Sequence, residues 1–481
     1  MALVIDLRCP FGLPVLIPLI AILAIAIASR FAATAPRHVR RIAALFALAQ
    51  CGAAIAQAPR VSTPLSGAMI ALVSLATVLA SFSVKRRVAL YFSLNFAIAA
   101  GAIGCVSAQH MGWWFLFAAV TLASLAAFVA IGGERRLTSL RTLNGLFALS
   151  LFLIAASLLF LHARAPSSWR ANDWANIDFL SEAPIFGSIR AVQIAYVALV
   201  VAVIVLLFAP ALRSIERALA AAPAPAAMLF FGILPMIAIG AIERVGLLAL
   251  PELSRWGAPG LAIFGAMAAL LFAWRALGEV DLKRFAISVS MAHGSVLLVA
   301  LGSGTSVGVV GAIAGAPIYG AVAALLFAAI GMIERRSGQA RADKLGGLMI
   351  ETPRYGAAIA TIFLASAGAP LFAPFWSALL TILGAIPNTP GSALLVSLAL
   401  GVLALAHARI FAHAFFGKLA DSWRRSPILE PLGGRFRDMT WREFFTLAPI
   451  VIVCVAAGIA PWWWLDPVSV AVRALGSSLG R

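Results

Sequence analysis

Charge is what this sequence lacks most. Only 11% of its 481 residues are Asp, Glu, Lys or Arg, against about 25% in a soluble domain. Hydrophobic residues make up 63%, and the mean hydropathy is +1.01. A water-soluble fold of this length would expose more apolar surface than water tolerates. Acids are scarcer still, 18 against 36 basic residues. There are four cysteines, Cys9, Cys51, Cys105 and Cys454, scattered and without a CxxC or Cys/His cluster. That excludes iron–sulfur and zinc ligation. No Walker loop and no GxGxxG–acid unit occurs in a strand–helix setting, which excludes nucleotide hydrolysis and dinucleotide binding. No clear cleavable signal is found, and the first apolar run, Leu13 to Phe31, reads as a membrane helix.

What is there is a series of apolar runs punctuated by charge. About 20 mostly apolar residues cross the hydrocarbon core. The runs 12–31, 39–57, 65–83, 86–107, 112–132, 142–162, 187–209, 226–250, 256–277, 285–303, 307–333, 354–386, 393–416 and 445–465 give about fourteen spans. They are continuously apolar rather than alternating, so they read as helices and not as barrel strands. The fold class is therefore all-α, a polytopic membrane protein. The run 354–386 holds Gly368, Pro370 and Pro374, which predict a broken helix.

The net charge of +18 lies in short loops. Arg37, Arg40 and Arg41 follow the first span, Lys85, Arg86 and Arg87 the third, and Arg135, Arg136 and Arg141 the fifth. The pattern continues with Arg213 and Arg217, Lys283 and Arg284, Arg335 and Arg336, and a last cluster from Lys418 to Arg442. Every odd-numbered span is followed by a basic loop. Basic residues favour the cytoplasmic side, so both termini are expected on the outer side. This distribution, without basic and aromatic residues at groove-reading spacing, excludes nucleic acid as a partner. The one sizeable outer loop, 162–187, reads as a short amphipathic cap, with no domain large enough for a catalytic site.

Ionisable groups at membrane depth are expensive and usually functional. Of the acids only Glu243 lies within an apolar run, beside Arg244. It is either a proton site or a locally paired interfacial charge. The four lysines, Lys85, Lys283, Lys344 and Lys418, all lie at span ends. His293 falls inside the tenth span and His407 inside the thirteenth, with Arg409 two residues on. A histidine titrates near neutral pH and could relay protons; the alternative is a hydrogen-bonded packing residue. The candidate proton-path residues are thus His293, His407, Arg409, Glu243 and Lys283.

The second half carries an ordered set of short motifs. Asp281-Leu282-Lys283-Arg284 leads into Ser290-Met291-Ala292-His293-Gly294. Glu334-Arg335-Arg336, Gly346-Gly347-Leu348 and Ala365-Ser366-Ala367-Gly368 follow. The set ends with His413-Ala414-Phe415-Phe416-Gly417-Lys418 and Asp438-Met439-Thr440-Trp441-Arg442-Glu443. In this order the chain resembles the antiporter-like membrane subunits of respiratory complex I, most closely the chain M type. The resemblance covers about Gly278 to Asp466, and more weakly back to Pro223. It implies fourteen helices arranged as two inverted five-helix repeats with broken helices. The implied division is N-terminal helices 1–111, a degenerate first repeat 112–250, a second repeat 256–416, and a cytoplasmic loop with a C-terminal membrane helix 417–481. No long lateral helix is expected after Asp466.

The resemblance also implies a chain of buried charges that moves protons. Here those positions are apolar: Phe208 and Met236 stand where the family has the lysines of spans seven and eight. Ile318 stands for the histidine of span eleven and Ala378 for the glutamate of span twelve. No acid occurs from Cys105 to Gly133, and only the tenth-span histidine is kept, as His293. The implied function is a membrane-arm subunit of an NADH:quinone oxidoreductase-like assembly, associated with proton translocation along an impaired or altered path. Such a chain has no redox centre of its own. NADH, FMN, iron–sulfur clusters and quinone belong to partner subunits, and the setting is the bacterial inner membrane. The other readings are a non-conducting spacer, or a subunit of a related hydrogenase, cation/proton antiporter or inorganic-carbon uptake complex.

Overall fold

The structure, a computed structural model, describes residues 12–30, 35–57, 64–81, 87–108, 110–132, 136–164, 189–248, 251–418 and 436–479. The expected cap at 162–187 lies, beyond Arg164, outside the described residues, as does most of the basic loop after Lys418.

The apolar runs form helices because in lipid each backbone N–H and C=O must be satisfied within its own segment. They are α1 (Leu13–Arg30), α2 (Ala35–Gln57), α3 (Pro64–Ala80), α4 (Val88–Ser107), α5 (Met111–Gly132), α6 (Arg136–Arg164) and α7 (Ile189–Phe208). The short α8 (Arg213–Ala221) precedes α9 (Ala224–Ala241), which runs on as a π-helical segment, Ile242–Leu248. Then come α10 (Pro251–Gly278), α11 (Leu282–Gly302), α12 (Ser306–Ser337), α13 (Pro353–Ser366), α14 (Ala373–Ala385), α15 (Pro390–Phe415), α16 (Trp441–Ile459) and α17 (Trp462–Leu479). Among the described residues twelve helices are long and apolar enough to cross a membrane. Two shorter apolar ones, Leu65–Ala80 and Ala373–Ala385, complete the expected number of spans. The chain is an all-α polytopic membrane protein.

The starts of the central helices are written locally. The Asp281 carboxylate accepts from the backbone N–H groups of Lys283 and Arg284, at 2.9 and 3.0 Å, and opens α11. The Thr305 hydroxyl accepts from Gly308 N–H at the start of α12, and Thr440 with Glu443 forms a capping box on α16. Such caps satisfy donors that a helix N-terminus leaves free.

Burial sorts the helices into a core and a rim. α9, α11 and α12 are enclosed almost all round, whereas α1, α2, α6 and α15 bury one face and turn the other outward. A helix apolar on every side belongs inside a bundle. α9 packs on α12, α12 on α11 and α14, and α11 on α10. Small residues let the backbones meet. A Cβ on Gly320 of α12 would overlap the carbonyl oxygen of Gly232 on α9, so the two helices touch main chain to main chain there.

Two spans are interrupted. The twelfth divides into α13 and α14 across 367–372, as Gly368 and the two prolines imply. The seventh ends at Phe208, passes through a tight turn, Ala209–Ala211, that contains Pro210, and resumes as α8. The sequence reading ended that span at 209 and did not foresee α8. It also carried the fourteenth span to 465. The structure stops α16 at Ile459, and Pro461 leads into the separate helix α17, which packs on α12. Pro has no N–H to continue α16 and fits the start of the next helix. The structure therefore continues as helix beyond Asp466, to Leu479, where none of length was expected.

Gly320→Val tests the main-chain contact. The added side chain has no space beside the Gly232 carbonyl, and overpacking of this kind costs about 1–3 kcal/mol. Thermal unfolding in detergent should show a lowered midpoint for this variant, whereas Gly401→Val, at an open position, should leave it unchanged.

Candidate functional site

The break in the twelfth span gathers two of the sequence candidates. α13 ends at Ser366, and the last carbonyls of a helix have no partner of their own. Ala367 N–H donates to Phe363 O (2.8 Å), Ala369 N–H to Leu364 O (3.0 Å) and Gly368 N–H to Ala365 O (3.1 Å). Gly368 makes the turn at φ +76, a left-handed conformation that suits glycine. The Ser366 carbonyl is left, and His293 Nε2 donates to it at 3.0 Å from α11. The Ser366 hydroxyl lies 2.9 Å from His407 Nε2, and His407 Nδ1 lies 2.8 Å from the Leu403 carbonyl. A carbonyl only accepts, so His407 Nδ1 carries the proton and its Nε2 accepts from Ser366. With both rings neutral every one of these bonds is satisfied. His293 stacks on Tyr319, with ring centroids 4.4 Å apart. Its Nδ1 has no hydrogen-bond partner among the described residues. Phe285 and Phe363 meet the His407 ring edge-on, at 5.0 and 5.4 Å.

The backbone of the break is held from α16. Leu371 adopts φ +78, unusual for a residue with a side chain. A Cβ on Gly458 would overlap the Leu371 carbonyl oxygen, and Trp376 Nε1 donates to the Gly458 carbonyl at 2.7 Å.

The remaining cationic candidates also serve helix ends. Lys283 Nζ donates to the Ala222 carbonyl, which closes α8, at 3.0 Å and pairs with Glu334 at 2.7 Å. Arg409 donates to the Leu277 carbonyl at the end of α10. Arg335 does the same for Ala80 at the end of α3 (3.2 Å), and Arg244 for Val106 at the end of α4 (2.9 Å). Cations suit helix C-termini because the peptide dipoles leave them negative. Lys283, Arg335 and Arg409 lie on the face of the basic loops, with Arg275 paired to Glu216 and Glu279. There burial pushes the Glu279 carboxyl above its ordinary value, with Arg275 opposing. Arg336 holds Glu443 through two bonds of 2.9 and 2.7 Å and stacks over Tyr355. The partner of Arg275, Glu216, lies 59 residues away and gives no local signal in the sequence.

Glu243 differs. It lies in the π-helical segment after α9 and lines a recess of about 20 Å³ with Ser66, Met236, Arg244 and Ile313. Among the described residues no hydrogen bond or ion pair holds its carboxylate.

Of the four apolar positions on the implied charge line, three are packed against neighbours, and Met236 lines the recess beside Glu243. Phe208 stacks on Phe272 at 5.5 Å and meets Phe264 edge-on at 5.8 Å. Ile318 is fully buried beside Pro317. Ala378 is buried next to Ser377, whose hydroxyl donates to Gly311 O at 2.9 Å. Met236 lies one turn beyond the Gly232–Gly320 contact. Among the described residues no group of His, Cys, Asp and Glu could hold a metal ion, and the three described cysteines are free and buried.

Residues 108–404 match the family described as NADH:quinone oxidoreductase/Mrp antiporter, transmembrane. A curated relative, NAD(P)H-quinone oxidoreductase chain 4 of Microcystis aeruginosa, is 26% identical over 317 residues. The match takes in 65% of this chain and 56% of the relative, so the chain aligns with little more than half of that relative's length. Among solved structures, a chain of respiratory complex I from Thermus thermophilus superposes with a TM-score of 0.81 at 19% identity, over 98% of this chain and 100% of that one. A chain of the Mrp complex from Dietzia sp. gives 0.77 at 18% identity, over 96% and 97%. At these identities the structures establish the fold.

The capping role of His293 has a direct test. His293→Leu leaves the Ser366 carbonyl unpaired, which should destabilise the chain by about 1–3 kcal/mol. His293→Gln, which can still donate, should recover most of it. Thermal unfolding in detergent distinguishes the two, and equal loss in both would contradict the cap.

Proposed function

The chain belongs to the family of NADH:quinone oxidoreductase/Mrp antiporter transmembrane proteins, and on that premise we propose that it is a membrane-arm subunit of an NADH:quinone oxidoreductase-type assembly without a proton path of its own through mid-membrane. It would sit in a bacterial inner membrane with both termini outward, as the basic-loop alternation favours. Redox centres, NADH and quinone would belong to its partners.

The observation that carries this reading is the closure between α9 and α12. A proton crossing the membrane needs a chain of water or ionisable groups. Here the backbones meet at Gly232 and Gly320, Phe231 stacks on Phe327 at 5.1 Å, and the flanking positions are Met236 and Ile318. Apolar groups carry no burial penalty, so the contact gains packing where a charge would need hydration. Of the ionisable candidates, His293, Lys283 and Arg409 are occupied as caps of helix ends, and His407 is bonded to Leu403 O and Ser366 Oγ. The chain would then transmit movement and seal the arm, while protons cross in neighbouring subunits. The resemblance to the Mrp complex chain concerns the fold and does not favour antiport.

Two arms test this. The chain alone in lipid vesicles under a pH gradient should pass no proton current above the lipid leak. In the assembled complex, the double variant His293→Gln, His407→Gln should leave the ratio of protons moved to electrons transferred unchanged. A current through the chain alone, or a lowered ratio in the variant, would contradict the proposal.

A further inference from the structure

Among the candidate residues, Glu243 has no hydrogen bond or ion pair to a described residue; the charge that acts on it is that of the adjacent Arg244. His293, Lys283, Arg409 and Arg244 each donate to a helix-end carbonyl. No described residue does the equivalent for Glu243. Glu243 and Met236 both line the recess.

The recess has a definite side. Ser66 lies two residues into α3, Val106 one residue before the end of α4, and Glu243 two residues past the end of α9. Ile313 is in the second turn of α12. All four helix ends lie on the face opposite the basic loops. About 20 Å³ is room for one water. The Ser66 hydroxyl, the Arg244 guanidinium and the Glu243 carboxylate supply the polar partners such a water needs. The acid lies in the first turn of the π-helical segment, a feature frequent at functional sites.

We propose that Glu243 and its recess form a proton-binding half-site open to the outer aqueous face and ended by Met236 and the Gly232–Gly320 contact. Arg244 is the only other titratable group lining the recess among the described residues. α3 contributes Ser66, and α4 and α12 contribute Val106, Ile313 and Ala316, none of which titrates. The site takes up and releases a proton on one side without passing it through. The inference rests on the outward orientation proposed above, but not on the identity of the partner subunits.

The test uses sealed right-side-out vesicles from cells making the full chain with its partners, and dicyclohexylcarbodiimide as probe. The reagent adds across its C=N bond to a protonated carboxyl and stays attached after rearrangement, so mass spectrometry locates it. The peptide bearing Glu243 should gain the reagent's mass. The reaction should fall as the outer pH is raised from about 6 to about 9 at fixed inner pH, roughly tenfold per unit once the group titrates. Glu243→Gln should remove the label while the chain still assembles on native gels. Three results would overturn the site: no modification at any outer pH, modification that follows inner pH, or protection by sodium at constant pH, which marks a metal-cation site instead. A chain that assembles but is not labelled defeats this inference and leaves the proposed function intact. A chain that fails to assemble with oxidoreductase subunits defeats the function, and the labelling of that chain in the membrane still reads the site.

Discussion

A backbone carbonyl at the end of a helix must find a donor, and in lipid no water supplies one. That constraint organises the polar chemistry described here. Where α13 stops inside the membrane, His293 donates to Ser366 O. Where α8 stops, Lys283 donates to Ala222 O, and where α10 stops, Arg409 donates to Leu277 O. Arg335 and Arg244 serve α3 and α4 in the same way. A cation at the end of a span, or an imidazole N–H inside one, is therefore not by itself a sign of transport. Each of these groups donates to the helix end it completes.

The constraint also explains why the interrupted span survives without the charges that the family resemblance implies. A break frees carbonyls and offers a place for ions. In this chain the freed groups of α13 are used up by three local N–H donors and one histidine. The main chain of the break is clamped by Gly458 and Trp376. The neighbouring helix crossings are closed by glycine and phenylalanine contacts. On the proposed reading, fold and conduction are separated. The bundle needs the break and its caps, while transport would need, in addition, hydrated charge between α9 and α12.

Much of this was legible from the sequence, and for physical reasons. Helix number followed from run length, because hydrocarbon thickness sets it. The break of the twelfth span followed from Gly368, Pro370 and Pro374. The turn at Ala209–Ala211 did not, because one proline at the end of an apolar run also fits an ordinary helix terminus. Candidate residues could be named but not paired: Ser366 is 73 residues from His293, and Ala222 is 61 from Lys283. Whether a histidine relays or caps depends on such partners, and no spacing rule encodes them. Glu243 was visible as a lone acid, whereas the recess beside it arises only from the meeting of four helix ends.

The central claim is that the mid-membrane axis is dry. Thiol accessibility reads it directly. Ile318→Cys and Ala378→Cys, each in a chain whose native cysteines are replaced by alanine, would be exposed in the assembled complex to a charged, membrane-impermeant thiol reagent from each side, at rest and during turnover. The account predicts no modification of either cysteine under any of these conditions. Modification of either one during turnover would show that water reaches the axis and would contradict it.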